Sequence, residues 1–282
     1  MENKLKGAIL PFRKIEGKLQ VGSSTIRCDW LLNHWPDVEE FRYGQEYSFI
    51  IYEKAYWPEH AKLFKGVKIL DLCDADYLHW GYRTKEMIEE VDAVTCATEA
   101  LTEEVGRFTE KPVVYVPDRV DLELFKSTKV HEGRAEKVVW FGYSNNFVRL
   151  DETIKFLIQH RLELLVISNS GYLPPVGFEK RLKYDTIHFG WDNLIREAVK
   201  GDFVLNPQSD VGKWKYKSEN KTAISWALGL PVAKTPEDIE RFMDPVERKR
   251  EAEKRYKQVK EEHDVKLSIY QYQALIKEIK NG

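Results

Sequence analysis

Short apolar runs rich in β-branched residues alternate along this chain with amphipathic stretches of helical length. Because parallel strands need a crossover between them, this alternation is typical of an α/β protein with a parallel sheet. In the first half, the pattern predicts strands at Gly7–Phe12, Tyr47–Tyr52, Val67–Leu72, Ala93–Ala97 and Val113–Val116. It also predicts helices at Ser23–Trp35, which opens with an N-cap cluster, and at Thr98–Phe108, which has acidic residues in its first turn.

A polar segment at 126–137, KSTKVHEGRAEK, has no periodic apolar face and separates this array from a second one. The second array predicts strands at Val138–Gly142, Glu163–Ser168, Thr186–Phe189, Phe203–Asn206 and Pro231–Lys234, and helices at Leu150–His160, Asn193–Val199 and Lys221–Leu228. The last part, Asp244–Lys280, is a helical pattern broken near His263–Val265. We therefore predict a Rossmann-like domain over 1–128, another over 136–245, and a helical segment over 246–282.

Composition excludes several classes of protein. With 43% hydrophobic and 32% charged residues among 282, the chain is neither membrane-embedded nor disordered, and its net charge of −2 gives no strong signal for nucleic acid. Three cysteines without a CxxC pair predict neither a zinc site nor a disulfide framework. The N-terminus is too short in apolar residues for a signal peptide, and no apolar run reaches 18 residues, so we expect a cytoplasmic protein without a transmembrane segment.

Small polar residues follow the predicted strands of the second array, where parallel sheets bind ligands. They are Gly142–Asn146, Ser168–Gly171, Gly190–Asp192 and Asn206–Ser209. Glycine allows close approach of a phosphate or base, and serine and asparagine supply hydrogen-bond donors. Together they predict a nucleotide-binding edge, although each one alone is equally typical of an ordinary loop.

The segment at 217–233 reads KSENKTAISWALGLPVA. It resembles the C-terminal donor-binding segment of GT-B glycosyltransferases of the group 1 (family 4) type, in which an Asn-Lys pair opens a helix that ends in Gly-x-Pro-Val. Other stretches resemble the family in the same order along the chain, namely Val91–Glu104, Val116–Phe125, Val138–Gly142 and Ile187–Pro207. The ordered resemblance covers roughly residues 90–235.

The resemblance implies a GT-B architecture: an α/β protein with two Rossmann-like domains facing a cleft and a C-terminal helix that crosses back to the N-terminal domain. It implies transfer of a sugar from a nucleotide-sugar donor to a hydroxyl acceptor, with retention of stereochemistry. It implies no cofactor and no required divalent metal. The implied partners are the nucleotide sugar and a glycan, lipid-linked, protein or other hydroxyl acceptor.

The resemblance also implies which residues bind the donor. The implied donor and phosphate ligands are Gly22, Gly142, Ser144, Arg149, Lys217, Glu219, Asn220 and Lys221, with Gly190 and Trp191 on the side of the base. Lys221, Arg149 and Lys217 would stabilise the charge that develops on the departing diphosphate. A solvated polar loop is the competing interpretation for Lys217, and packing is the competing one for Trp191.

One position departs from the family. A glutamate that binds the donor ribose usually stands five residues before the glycine of Gly-x-Pro-Val, whereas here Ile224 stands five before Gly229. Three interpretations remain open: Glu219 substitutes for the missing carboxylate, the donor is held differently, or the protein has lost its activity.

Three carboxylates and a histidine follow the strand at 67–72, in the sequence Asp71-Leu-Cys-Asp-Ala-Asp-Tyr-Leu-His79. Asp74 or His79 could take a proton from the acceptor hydroxyl and is our predicted catalytic group. Asp74 and Asp76 could instead form an Asp-x-Asp metal site, or the stretch could be an N-cap and turn. We rank the metal site last, because the second half resembles a GT-B donor domain.

Alternative functions follow from the same residues. A nucleotide-sugar epimerase would need an acid and a base around one sugar and no acceptor. A non-catalytic module that binds a nucleotide or sugar is favoured by Ile224. The lysines of 213–221 would suit a nucleic-acid acceptor, and the charged helix at 247–262 would suit an ion-paired face or, less well, a membrane surface.

Overall fold

The computed structural model describes residues 6–17, 22–78, 83–126, 128–207 and 211–282. The strands are β1 (Gly7–Pro11), β2 (Val38–Glu40), β3 (Phe49–Glu53), β4 (Val67–Leu72), β5 (Ala93–Cys96), β6 (Val113–Tyr115), β7 (Lys137–Phe141), β8 (Glu163–Ser168), β9 (Tyr184–His188), β10 (Phe203–Leu205) and β11 (Val232–Ala233). All the paired strands are parallel, as the alternating pattern predicts. Every predicted strand has a counterpart, and β2 was missed.

The α-helices include counterparts of all the predicted helices, together with helices that were not predicted, at Phe12–Glu16, Pro58–Leu63, Thr84–Glu90 and Pro236–Arg241. They are α1 (Phe12–Glu16), α2 (Gly22–Ser24), α3 (Trp30–Leu32), α4 (Pro58–Leu63), α5 (Thr84–Glu90), α6 (Glu99–Gly106), α7 (Phe147–Asp151), α8 (Ile154–His160), α9 (Trp191–Ala198), α10 (Asn220–Ala227), α11 (Pro236–Arg241), α12 (Pro245–Glu262) and α13 (Val265–Asn281). A π-helical stretch, Thr25–Asp29, joins α2 to α3. Short 3₁₀ helices lie at Asp76–Leu78, Leu122–Leu124, Ser144–Asn146 and Gly212–Tyr216.

The chain forms two compact units whose boundaries differ from those predicted. The first unit consists of Met1–Asp121, Val211–Glu219 and His263–Gly282, and the second of Leu122–Asp210 and Asn220–Glu262. The predicted helical segment 246–282 is therefore divided at its break, with α12 in the second unit and α13 in the first. The segment Val211–Glu219, predicted to lie in the second domain, belongs to the first unit.

The first unit is built on a six-stranded sheet in the order β2-β1-β3-β4-β5-β6. Apolar side chains of the central strands, among them Leu10, Ile50 and Leu70, are buried in one core with residues of α5 and α6. Helix α13 packs on α3 and β4, so the prediction that the last helix returns to the N-terminal unit is confirmed for α13. The cysteines Cys28, Cys73 and Cys96 are buried thiols.

The second unit is built on a five-stranded sheet in the order β11-β10-β7-β8-β9. From β7 the chain moves outward to β8 and β9, then returns to β10 on the other side of β7 and continues to β11. The strand order therefore reverses between β7 and β10, and the carboxyl ends of these two strands form the switch point where open α/β sheets bind ligands. The core contains Trp140, Leu164, Phe203 and Phe242.

Among the described residues, no helix combines the length and the apolar character needed to cross a bilayer.

Candidate functional site

A lysine lies over the carboxyl end of β7. Lys221, the second residue of α10, extends its side chain so that Nζ is 2.6 Å from where a Cβ atom on Gly142 would lie. The ammonium group is also 4.5 Å from the centre of the Trp140 ring. Gly142 has a φ of 151°, which residues with a Cβ rarely adopt. A glycine and a cation are thus brought together at the switch point of the second sheet.

Polar groups surround this glycine. Ser168 Oγ donates to the carbonyl of Gly142 at 2.7 Å, and the backbone amide of Ser144 donates to Asn169 Oδ1 at 2.8 Å. These bonds fix the loops after β7 and β8 relative to each other. The Ser144 amide is therefore engaged within the protein, and the role of Ser144 toward the donor stays a prediction.

Arg149 lies at a neighbouring cavity of about 170 Å³. Its guanidinium pairs with Glu152 at 2.7 Å. The cavity is also lined by Pro207, Lys234 and Thr235, which follow β10 and β11. The structure thus brings Arg149 to the carboxyl edge of the second sheet, beside a second basic residue.

Gly190 and Trp191, predicted on the side of the base, stand at the beginning of α9. Gly190 is the N-cap residue and has an extended φ of −163°. The indole of Trp191 contacts Phe189 edge-on, with ring centres 5.5 Å apart, and the side chain is half-buried. These residues follow β9 at the carboxyl edge, and their role toward a base stays a prediction.

The predicted donor segment 217–221 is divided between the two units. Asn220 and Lys221 open α10 in the second unit, whereas Lys217 and Glu219 belong to the first. Lys217 Nζ pairs with Asp74 Oδ1 at 2.5 Å, and Asp74 is a carboxylate of the first unit. Glu219 is exposed. The role of these two residues toward the donor stays a prediction.

Ile224, which stands where the family usually has a ribose-binding glutamate, is buried. Ile224 is only 2% exposed and lies in the interior of the second unit. This position of α10 supplies core packing, and no carboxylate stands there.

A cluster of charges occupies the carboxyl edge of the first sheet. Lys54 Nζ lies 2.7 Å from Asp74 Oδ2 and 3.2 Å from Asp76 Oδ2. The hydroxyl of Tyr56 donates to Asp76 Oδ2, and Lys217 approaches Asp74 from the other side. The ammonium group of Lys54 bridges both carboxylates of the predicted Asp-x-Asp motif, so a lysine already neutralises the pair that was considered as a metal site.

These charges change the acidity of the carboxyls. Burial acts to raise the pKa of Asp74, but Lys54 and Lys217 outweigh it and lower that pKa to about 2. Burial raises the pKa of Asp76. A carboxylate with a pKa of about 2 is a weak base near neutral pH, so this environment does not favour the predicted general-base role of Asp74. His79, the alternative base, lies outside the described residues.

The first unit contains another group of side chains with the spacing of a metal site. It consists of Cys28, Asp29 and Glu40. The guanidinium of Arg13 pairs with both of its carboxylates. Among the described residues, this group too is neutralised by a protein cation.

Gly22 begins α2, next to a buried glutamate that the sequence did not single out. Glu53 Oε2 accepts hydrogen bonds from the amide of Phe12 at 2.8 Å and from Ser24 Oγ at 2.7 Å. Within the part of the chain that the structure describes, Glu53 Oε1 has no hydrogen-bond partner. Glu53 is 0% exposed, and burial raises its pKa to about 7. Through Ser24, this carboxyl fixes the helix that begins at Gly22, which was predicted as a donor ligand.

A buried arginine lies at the centre of a network that connects five parts of the first unit. Arg27 donates to both oxygens of Asp71 at 2.6 Å and to Asp118 Oδ1 at 2.6 Å. Tyr272 of α13 donates to Asp71 at 2.9 Å, and Ser218 donates to Asp118 at 2.6 Å. This network joins the π-helical stretch, β4, the residues after β6, α13 and the segment Val211–Glu219.

No protein-family model matches the chain, and no curated protein sequence matches it. Several solved structures resemble it over nearly its whole length. Anabaena Alr3699/HepE, solved in complex with UDP and glucose, has a TM-score of 0.68 at 11% identity, over 97% of this chain and 99% of that one. An alpha-glucosyltransferase solved with UDP and a 13-mer DNA has a TM-score of 0.63 at 12% identity, covering 98% of this chain and 100% of that one.

A third similar structure is AviGT4, a glycosyltransferase involved in avilamycin A biosynthesis, with a TM-score of 0.61 at 12% identity and 99% coverage of both chains. At these identities the likeness concerns the fold. The two parallel sheets and the whole-length matches show the GT-B fold, as the sequence predicted.

Proposed function

We propose that this protein transfers a sugar from a nucleotide-sugar donor to a hydroxyl acceptor. The observation that carries the proposal is the position of the Lys221 ammonium over Gly142, at the switch point of the second sheet. The GT-B fold supports it, and two proteins of similar structure were solved with UDP. We therefore propose a UDP-sugar as the donor.

The geometry suits the chemistry of a departing diphosphate. When the bond between the anomeric carbon and the phosphate breaks, negative charge develops on the phosphate oxygens. A cation already in place stabilises that charge without reorganising, and a glycine backbone lets the phosphate come close. In this proposal Lys221 supplies the charge and Gly142 the close approach.

The first unit would hold the acceptor. Because Lys54 and Lys217 keep Asp74 ionised, its carboxylate would accept a hydrogen bond from an acceptor hydroxyl and orient it, rather than remove its proton. We propose, following the family resemblance, a retaining reaction in which the departing phosphate takes that proton. We also propose that protein cations, with Lys221 foremost, supply the charge that a divalent metal supplies in other transferases.

Release of the nucleoside diphosphate tests the proposal. The full chain is incubated with UDP-, GDP- and ADP-sugars and a mixture of hydroxyl acceptors, and diphosphate release is measured. Removing one preorganised contact to developing charge typically lowers kcat by a factor of about 10²–10³, so we expect kcat to fall by that factor in Lys221→Ala. Lys155→Ala, which removes an exposed lysine from α8 of the same unit, is the matched control and should retain its rate. Undiminished turnover in Lys221→Ala would remove the central assignment.

A second candidate is a protein that binds a nucleotide sugar without transferring it. Burial of Ile224 at the place of the usual ribose-binding glutamate favours this alternative. Calorimetry with UDP and UDP-sugars distinguishes the two, since the binding module would give heat of binding and no release of UDP. An epimerase would instead convert the donor alone, with no acceptor present.

A further inference from the structure

A row of stacked rings lies on the first unit, on residues that follow β2 and β3. The rings of Tyr43 and Trp57 are 6.3 Å apart and inclined by 22°, and those of Trp57 and His60 are 4.4 Å apart at 22°. His60 and Phe64 continue the row at 6.2 Å and 10°. We call these four residues the aromatic ladder. Its outer ring, Tyr43, is 82% exposed.

The inner part of the aromatic ladder is fixed by the core. Phe41 packs edge-on against His60 with ring centres 5.3 Å apart, and Tyr52 Oη forms a hydrogen bond with His60 Nδ1 at 2.9 Å. Burial lowers the pKa of His60. The imidazole is therefore uncharged near neutral pH, and the ladder presents aromatic faces rather than a cation.

The exposed end is held by its own loop. The amide of Gln45 donates to the carbonyl of Arg42 at 3.4 Å, which closes a turn with Tyr43 and Gly44 at its centre. Gly44 has a φ of 79°, which such a turn requires of its third residue. The hydroxyl of Tyr47 accepts from the Arg42 amide and donates to Glu39. Tyr43 is thus kept in the solvent by hydrogen bonds that do not involve its ring.

An exposed, preorganised aromatic face has a chemical preference. The axial CH groups of a pyranose form a flat apolar face that packs on such a ring, and the sugar hydroxyls then point sideways. Tyrosine and tryptophan suit this contact because they combine a large apolar area with a polar group. The exposed side chains of Arg42, Gln45 and Glu46 border Tyr43 on the same turn and could bind those hydroxyls.

Nucleic-acid bases also stack on aromatic rings, and the local charge indicates which of the two ligands, a sugar or a nucleic acid, fits the ladder. Residues 37–64, which contain the whole ladder, include five acidic and two basic side chains besides the buried Glu53 and Lys54. Nucleic-acid binding depends on cations that neutralise phosphates, and here acids predominate. A neutral carbohydrate fits this surface better than a polyanion.

We propose that the aromatic ladder binds the neutral carbohydrate part of the acceptor, away from the hydroxyl that reacts. This inference rests on the proposed transferase function. Trp57 follows β3 and Asp74 follows the adjacent β4, so both come after strands that end at the carboxyl edge of one sheet, whereas Phe64, beside Gly66 before β4, lies toward the amino edge. An oligosaccharide stacked on Tyr43 and Trp57 would be anchored by sugar units that take no part in the chemistry.

Binding in the absence of any donor tests the inference separately from catalysis. The full chain is applied to an array of neutral di- to tetrasaccharides, and dissociation constants for the positive glycans are measured by tryptophan fluorescence. Loss of the ring in Tyr43→Ala should weaken binding about tenfold, whereas Tyr43→Phe, which keeps it, should stay within about threefold of the wild type. Tyr270→Ala is the matched control, because Tyr270 is 66% exposed on α13 of the same unit and should not matter.

Three results would overturn the inference: no binding of the wild type to any neutral glycan, equal binding by Tyr43→Ala, or binding to fluorescein-labelled single-stranded DNA that depends on Tyr43 and falls steeply with salt. The last would assign the ladder to nucleic acid. Stabilisation by UDP should be the same in Tyr43→Ala and the wild type, so failure of the donor site is seen independently.

Discussion

Lys217 Nζ lies 2.5 Å from Asp74 Oδ1, although 143 residues separate them in the chain. Together with the bond from Ser218 to Asp118, this ion pair fastens the segment Val211–Glu219 to the first unit. The same carboxylate neutralises the buried Lys54. Asp74 therefore has a structural task that is independent of any role toward an acceptor.

Replacing Asp74 by asparagine should expose this task. At pH 7, Asp74→Asn leaves Lys54 with Asp76 alone, and we expect the free energy of unfolding to fall by about 2 kcal/mol, less than for a fully buried pair because Asp74 is partly exposed. The pKa of Asp74 is lowered to about 2, so its contribution is complete above its ordinary pKa of 3.8 and is lost as the pH falls from about 4 toward 2. Urea unfolding from pH 7 down to pH 2 measures this.

The matched control is Glu110→Gln, which alters an exposed carboxylate of the same unit. Its free energy of unfolding should differ little from that of the wild type at every pH between 7 and 2. An Asp74→Asn protein as stable as the wild type at pH 7 would contradict the assigned ion pairs.

Glu53 should show the opposite dependence on pH. Burial raises its pKa to about 7, above the ordinary 4.5, so ionising it costs folding free energy. That cost is absent below about pH 4.5, grows as the pH rises, and reaches on the order of 3 kcal/mol above pH 7. Glu53→Gln cannot ionise, so we expect its stability relative to the wild type to rise between pH 5 and pH 8.

Chemical denaturation at these two pH values gives the comparison. Glu103→Gln, on the exposed face of α6, should show no such trend. A difference between Glu53→Gln and the wild type that is constant with pH would mean that Glu53 has an ordinary pKa.

Arg27 should be among the most sensitive positions of the first unit. Arg27→Met leaves Asp71 and Asp118 buried without their cation, which typically costs about 3–5 kcal/mol. Arg27→Lys keeps the charge but loses the bidentate contact with Asp71, so its free energy of unfolding should fall by less than that of Arg27→Met. Unfolding at pH 7 followed by tryptophan fluorescence ranks the variants, and an Arg27→Met protein more stable than Arg27→Lys would refute the ion network.

Gly142→Ala should affect both stability and donor binding. A φ of 151° strains any residue with a Cβ, and we expect a loss of about 1–2 kcal/mol. The new methyl group would also displace the Lys221 ammonium, so the rise in melting temperature caused by UDP should shrink. Gly106→Ala is the control, because Gly106 belongs to the first unit and nothing lies within 4 Å of a Cβ there. An unchanged response of Gly142→Ala to UDP would separate Gly142 from the phosphate.

Local sequence pattern was sufficient for most of the secondary structure. The strands predicted at Val67–Leu72 and Glu163–Ser168 have those bounds in the structure, because apolar residues predominate in each of them. Strand β2 was missed, since only Val38 of its three residues is buried and two glutamates follow. A strand at the edge of the sheet needs little apolar signal.

The candidate site was less accessible to sequence reasoning. The pattern placed Gly142 after a strand and Lys221 at the beginning of a helix, and the structure brings them together. It could not show that Lys217 pairs with Asp74, because a contact over such a separation leaves no local periodicity. The aromatic ladder was not predicted for a related reason: Trp57, His60 and Phe64 have helical spacing, but β3 separates them from Tyr43, and no local period connects the four rings.

The first unit is built from three separate chain segments, so the order of translation limits when it can be completed. Tyr272, which completes the hydrogen bonds of Asp71, is translated 201 residues after it, when all of the second unit has already been made. The face of the first unit that α13 covers can therefore be buried only after the second unit has been synthesised. The unit whose synthesis begins first is therefore the one whose last segment is translated last.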